Sequence, residues 1–298
     1  MTSGDLSTRA SAYFEALQRE ICDALAALDG QAVFRRDRWQ RDGGGGGLSM
    51  VAADGAVFEK AGVNTSAVWG QLDDRALQAL GGSDRSFFAT GISLVLHPRS
   101  PMVPAIHANL RYLERGSSAW FGGGSDLTPI YPYAEDARDF HRAWKATCDR
   151  HDPAYYPRFK AWCDEYFYLP HRREMRGVGG IFFDELGGEL ESHFAYVRDC
   201  GSTIVDAYRP IVERRRAEPY AERERAFQLY RRGRYVEFNL IYDRGTSFGL
   251  ATGGRTESIL MSLPPLARWE YDWRPQPDSR EERALQYFQP RDWIGDAT

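Results

Sequence analysis

Cysteine, lysine and long apolar runs are all scarce in this 298-residue chain. The four cysteines (Cys22, Cys148, Cys163, Cys200) are scattered with no C-x-x-C pair, which argues against a secreted disulfide framework and for buried, reduced thiols. Lysine occurs only at Lys60, Lys145 and Lys160, so almost all of the 38 basic residues are arginine. Genome composition accounts for most of that bias, but arginine also grips carboxylates bidentately. Apolar runs such as Leu94-Val95-Leu96 are short, far below the length of a membrane span. Met1 to Phe14 carries Asp5 and no apolar h-region, so no signal peptide is expected and the protein is expected to be soluble and cytoplasmic. A dominant charge sign is missing too. The net charge of -4 generates no global field that would recruit DNA or a membrane.

What is present suits a globular protein. The chain is 43% hydrophobic, 13% aromatic and 27% charged, which excludes wholesale disorder and a coiled-coil rod and allows a large core. Residues 6–29 predict an amphipathic helix, with Phe14, Leu17, Ile21, Leu25 and Leu28 at helical spacing and Gly30 as its stop. A β-rich stretch follows: Val33–Trp39, Leu48–Ala53, Val57–Val63, Phe87–His97 and Ile106–Leu113. Helices are expected over Glu135–Arg150, after Pro157, and from Leu190 to about Arg216, with a short strand at Val178–Phe183. Tyr235–Tyr242 and Ser258–Leu263 read as late strands. No repeat or linker splits residues 1–298, so a single domain is expected. Strands early and late with helices between favour an α+β fold with a mostly antiparallel sheet.

Several motifs lead nowhere. The five glycines Gly43–Gly47 have no following Gly-Lys-Ser/Thr and read as a flexible hairpin loop or lid. Gly245-Thr246-Ser247-Phe248-Gly249 matches a nucleophile elbow, but the last histidine, His193, precedes it, so the match is accidental. No G-x-G-x-x-G opens a helix after a strand, and no H-E-x-x-H occurs. The nine arginines of Arg209–Arg234 are interleaved with glutamates, which suggests a solvated helix face rather than a nucleic-acid patch.

Two strands around Pro98–Pro104 carry the chemistry. Alternation puts Ile92, Leu94 and Leu96 on one face with Ile106, Ala108, Leu110 and Tyr112. The other face gathers Ser93, His97, His107, Asn109 and Arg111, a more specialised set than an ordinary solvent-facing sheet carries. His141 and His171 lie downstream; four converging histidines could bind a divalent metal, though their spacing matches no compact metal motif. Trp120–Pro129 contains Gly122-Gly123-Gly124, which lets backbone approach a ligand and sets Asp126 at the rim of the polar face. Gly253-Gly254-Arg255 offers a second cation in a glycine-rich setting. Arg111 and Arg255 together suit a polycarboxylate.

Those strings resemble the oxygen-dependent coproporphyrinogen-III oxidases. The likeness rests on His107-Ala108-Asn109-Leu110-Arg111-Tyr112, Gly122–Pro129, Tyr156–Asp164, Arg176–Asp184, Glu237–Thr246 and Gly253–Pro265, and runs in order from about residue 10 to 290. The resemblance implies an enzyme that converts the ring A and B propionates of coproporphyrinogen III to vinyl groups, giving protoporphyrinogen IX, CO2 and H2O2 in haem biosynthesis. It implies O2 as acceptor, no organic cofactor, a large antiparallel sheet flanked by helices, and a homodimer with its contact at about 235–270. By the same resemblance Asp126 serves the pyrrole N–H groups as base or electrostatic partner and Arg111 holds the reacting propionate. His107 is the implied proton donor, and Ser93, Asn109, Leu110, Gly253, Gly254 and Arg255 are implied substrate contacts. A manganese-type divalent site would use His97, His107, His141 and His171, which gives His107 two roles that are hard to hold together. A metal-independent mechanism is the slightly favoured expectation. A non-catalytic tetrapyrrole carrier and a mononuclear metal oxygenase are the rival readings.

Overall fold

A computed structural model describes residues 3–72, 74, 77, 83–251 and 254–295. The first helix, α1 (Ser3–Asp29), buries the stripe Phe14, Leu17, Ile21, Leu25 and Leu28. Six strands follow: β1 (Arg35–Gln40), β2 (Gly45–Ala53), β3 (Phe58–Gln71), β4 (Ser86–Pro98), β5 (Ala105–Arg115) and β6 (Ser118–Thr128). They form a meander, each antiparallel to the next. After α2 (Ala134–Asp149), α3 (Tyr155–Tyr166) and a two-residue hairpin of β7 (Tyr168–Leu169) and β8 (Glu174–Met175), β9 (Gly179–Leu186) returns to pair with β6. The main sheet therefore has seven strands in the order β1-β2-β3-β4-β5-β6-β9. The chain is an α+β single domain with a fully antiparallel main sheet.

One sheet face is the core. Val63, Ile92, Leu94, Leu96, Ile106, Ala108, Leu110, Tyr112, Phe121, Ile181 and Phe183 pack there against α1, α2 and the long helix α4 (Leu190–Arg215). The alternation that set the apolar residues of β4 and β5 on one side holds throughout. The opposite face is partly roofed by the last third of the chain, which includes α5 (Glu222–Glu237), a π-helical turn (Phe238–Tyr242), α6 (Arg244–Ala251) and α7 (Thr256–Leu260). Met261 lies over Gly62, the Ser258 and Ser49 hydroxyls sit 2.9 Å apart, and Lys60 donates to the Leu263 carbonyl at 2.8 Å. A last helix, α8 (Arg280–Leu285), closes the described helices.

Three expectations change. Tyr235–Tyr242 is helical and Ser258–Leu263 runs from the end of α7 into a turn; neither is a strand. Tyr235, Phe238 and Met261 are buried without joining the sheet, Leu240 and Ile241 stay exposed, and the suggested dimer segment is therefore made of helices and turns. The glycine run is only half a loop: Gly45–Gly47 belong to β2, where Trp39 of β1 lies across Gly47, while Gly44 and Gly45 take positive φ (114° and 84°) to turn the chain. The arginine run is a solvated face only in part: Arg209, Arg214, Arg216 and Arg223 are exposed. Arg215, Arg231, Arg232 and Arg234 are all buried and paired: Arg232 and Arg225 on Glu59 of β3, Arg231 and Arg234 on Glu174 of β8. Arginine forks thus pin α5 to β3 and to the β7–β8 hairpin, each carboxylate holding two.

Candidate active site

Direct cross-strand partners build the floor of the site. One transverse row reads Asp37, Ser49, Asn64, Ser93, Asn109, Gly124 and Phe182, one residue from each of the seven strands. The neighbouring row carries Val95, His107, Asp126 and Gly180, and the row on the other side Gly91, Arg111 and Gly122. Small residues dominate these rows, so the face is a trough between the sheet and its helical roof. A cavity of about 250 Å3 occupies it, lined by Ser93, His107, Asn109, Arg111, Gly124 and Phe182 below and by Tyr235, Asn239, Thr246, Ser258 and Met261 above.

His107 and Asp126 face each other across β5 and β6. His107 Nδ1 and Asp126 Oδ1 are 2.9 Å apart. Asp126 is not at a rim, as the glycine run suggested: its side chain is 1% exposed and does not line the cavity. The glycines are strand residues, and Arg176 covers the carboxylate. Arg176 donates through Nε to Oδ2 at 3.0 Å and through Nη2 to Oδ1 at 2.7 Å. Phe167, Tyr235 and Phe238 hold their rings 4.1, 4.7 and 4.7 Å from that guanidinium. Burial pushes the Asp126 carboxyl up, but Arg176 and His107 outweigh it and hold it below its ordinary value. The arrangement is a relay of orientation: Arg176 fixes Asp126, Asp126 fixes the His107 ring, and His107 reaches the cavity.

Arg111 stands two rungs along β5. It donates through Nη1 to Asn109 Oδ1 at 3.0 Å and through Nη2 to Asp184 Oδ2 at 2.6 Å. Gly122 makes that bridge possible, since a Cβ there would lie 2.4 Å from Asp184 Oδ1 and 2.9 Å from Arg111 Nε. Ser93 and Asn109 are direct cross-strand neighbours on the floor, as alternation predicts. Leu110 is not in the cavity: its side chain is 1% exposed in the core on the other face, where the same alternation must send it.

Arg255 belongs to an adjoining cavity of about 700 Å3, lined also by Trp39, Arg41, Gln71, Phe87 and Gly254. The two cavities share Asn64, Ser258 and Ile259. Arg255 donates to Asp37 of β1 at 2.6 Å, and Gly254 turns back so that its N–H reaches the Gly249 carbonyl at 2.7 Å. Gly253 lies outside the described residues. β1 and β5 are four strand spacings apart, on the order of 19 Å. Arg111 and the Asp37-anchored Arg255 therefore serve opposite ends of one long trough.

The four histidines do not assemble. His97 is buried, with Nε2 on the Ser262 carbonyl at 2.8 Å, and burial pushes its pKa down to about 3. His141 sits between the Tyr156 hydroxyl (2.9 Å) and the Val178 carbonyl (3.0 Å), and burial lowers it to about 4. His171 bonds Glu237 at 2.8 Å and the Tyr242 hydroxyl at 2.9 Å. Among the described residues no group of three or more His, Cys, Asp or Glu side chains could hold a metal ion. His97, His141 and His171 thus each sit in a separate hydrogen-bonded setting, and His107 alone of the four lines the cavity.

Sequence reasoning missed Arg176 and Asp184. Both stood in view, as a lone cation just before the apolar strand Val178–Phe183 and a carboxylate in phase with Phe182 at its end. The residues that meet in the trough come from segments spread along nearly the whole chain. The coproporphyrinogen III oxidase family model matches residues 9–293, and the chain belongs to that family of haem-biosynthetic oxidoreductases.

Proposed function

We propose that this enzyme carries out the oxygen-dependent reaction: oxidative decarboxylation of the ring A and B propionates of coproporphyrinogen III to vinyl groups, giving protoporphyrinogen IX, CO2 and H2O2. The observation that carries this reading is the pairing, on one face of β5, of a cation for a carboxylate with an oriented proton-transfer group. Arg111, steered by Asn109 and Asp184, takes the reacting propionate. His107, held by Asp126, handles the proton at the pyrrole or propionate edge. Asp126 is a positioning residue here, because Arg176 occupies both of its oxygens. The rest of the macrocycle extends over Asn64 and Ser93 into the larger cavity, where Arg255 meets a distal propionate.

Electrons pass from the porphyrinogen to O2, so no organic cofactor is required, and the separate histidines support a mechanism that needs no divalent metal. The enzyme works in the cytoplasm as a homodimer. The segment suggested for the contact exposes Leu240, Ile241, Leu250, Leu266, Trp269 and Tyr271, an apolar set of the kind interfaces use. Chelated, metal-assayed protein is to be given freshly reduced coproporphyrinogen III with and without O2, and with manganese added back. Protoporphyrin formed only with O2, and at the same rate before and after add-back, is the expected result. Formation without O2, or only after add-back, refutes the corresponding half of the reading.

A further inference from the structure

The smaller cavity is lined by two buried polar groups that no described residue satisfies with a well-formed hydrogen bond. Tyr235 ends α5 and Asn239 begins the π-helical turn, four residues apart and so on one helix side. They are 3% and 5% exposed, and both line the cavity. Among the described residues the Tyr235 hydroxyl and the Asn239 Nδ2 make no well-formed hydrogen bond, although the Asn239 side chain lies close enough to Tyr235 to act on its hydroxyl. Two orphaned polar groups so close together are costly to keep. A π-turn at this point is itself a common mark of a working site.

Arg176 and Asp126 neutralise each other beside them, and the Asp243 carboxylate, which also lines the cavity, accepts from the Tyr166 hydroxyl and the Thr246 N–H. Arg176 spends Nε and Nη2 on Asp126 and meets only the Asn239 Oδ1 with Nη1, at 3.4 Å. Phe167 and Tyr235 wall the cavity with their rings, and Phe238 packs on the same guanidinium. A permanent carboxylate is better served by Arg111. A space with two preset donors beside an internally paired guanidinium suits a small neutral molecule that becomes anionic during the reaction.

We propose that this part of the cavity is the dioxygen subsite, in which the Tyr235 hydroxyl and the Asn239 amide receive the anion that O2 becomes. The inference rests on the oxygen-dependent reading above. In the balanced step, the propionate side chain –CH2–CH2–COO⁻, O2 and one proton give –CH=CH2, CO2 and H2O2. The C–C bond to the carboxylate breaks and its electron pair becomes the new double bond. One C–H hydrogen leaves the ring-attached carbon as a proton, and the two electrons it leaves behind pass through the pyrrole to O2. Tyr235 and Asn239 stabilise the superoxide and hydroperoxide stages, and burial, which pushes Tyr235 up to about 12, keeps its hydroxyl a donor.

Steady-state kinetics with both O2 and coproporphyrinogen III varied test this in the intact enzyme. Tyr235→Phe and Asn239→Ala are each expected to lower kcat/KM for O2 by about 10- to 100-fold, the range for losing one preset donor. KM for the porphyrinogen stays within about two-fold. Variants with unchanged kcat/KM for O2, or with both substrates' terms lowered equally, overturn the subsite while wild type remains O2-dependent. Wild-type turnover that proceeds equally without O2 instead overturns the oxygen-dependent reading itself.

Discussion

Asp126 and Arg176 form the sharpest test of how the site is built. Both side chains are 1% exposed, and the pair shares two short hydrogen bonds. Removing one partner strands a charge in the interior, so Asp126→Asn or Arg176→Met is expected to cost about 3–5 kcal/mol of unfolding free energy. Removing both leaves no stranded charge. The double variant should recover most of that loss, giving a coupling of several kcal/mol in a double-mutant cycle. Catalysis is expected to behave differently. His107 loses its Nδ1 partner in Asp126→Asn and in the double variant alike, so kcat should stay down by about 10²–10⁴-fold, the range for a misplaced acid–base group. Urea unfolding and protoporphyrin formation on the same four proteins separate the two effects. A single Asp126→Asn within about 1 kcal/mol of wild type, or a double variant as unstable as the worse single, refutes the buried-pair account. A double variant with restored turnover refutes the role given to Asp126 in orienting His107.

Three further outcomes follow from other contacts. His97 and His141 are held neutral down to about 3 and about 4, whereas an unfolded histidine protonates near ~6.5. The stability they support is complete above that value and falls as pH drops towards the folded values, by about 2 kcal/mol for the pair between about pH 6 and 5; urea midpoints that stay flat over that interval refute it. Arg111→Lys and Gly122→Ala both disturb the Arg111–Asp184 bridge, the second through a Cβ 2.4 Å from Asp184 Oδ1. Each should lower kcat/KM for the porphyrinogen by about 10-fold or more with the unfolding midpoint little changed, and normal kinetics in both removes Arg111 from the site. Glu237 accepts from His171, Arg172 and Trp269, which overcome its burial and pull its pKa down to about 2. Its contribution is full above the unfolded value of about 4.3 and is lost as pH falls towards the folded one. Glu237→Gln should therefore destabilise at pH 7 and converge with wild type in acid, and a constant difference across that range refutes it.

The parts of the molecule legible from sequence are those in which a residue's neighbours in space are also its neighbours in period. Alternation in β4 and β5 set Ser93, Asn109, His107 and Arg111 on one face, and the observed register pairs Ser93 with Asn109 across the hairpin. Periodicity fails where two periods agree. Tyr235, Glu237 and Asn239 share a face in a strand, but Tyr235 and Asn239 also share one in a helix, and only tertiary contact decides. Here the deciding contacts are the arginine forks: Glu59 and Glu174, more than fifty residues away along the chain, hold Arg225, Arg231, Arg232 and Arg234 in helical phase. Four of the arginines that read as part of a solvated surface are the groups that fix α5. Asp126 shows the same limit from the other side. Three glycines before it suggested a rim where backbone approaches a ligand, yet glycine in a strand also marks a place where one of the protein's own groups must pass close over the backbone. At Gly122 that group is the Arg111–Asp184 bridge, and two rungs on, Arg176 arrives from outside the meander to cover the Asp126 carboxylate. A carboxylate buried behind its histidine and a cation left facing the trough are outcomes of partner choice, and partners fifty or more residues apart leave no period to read.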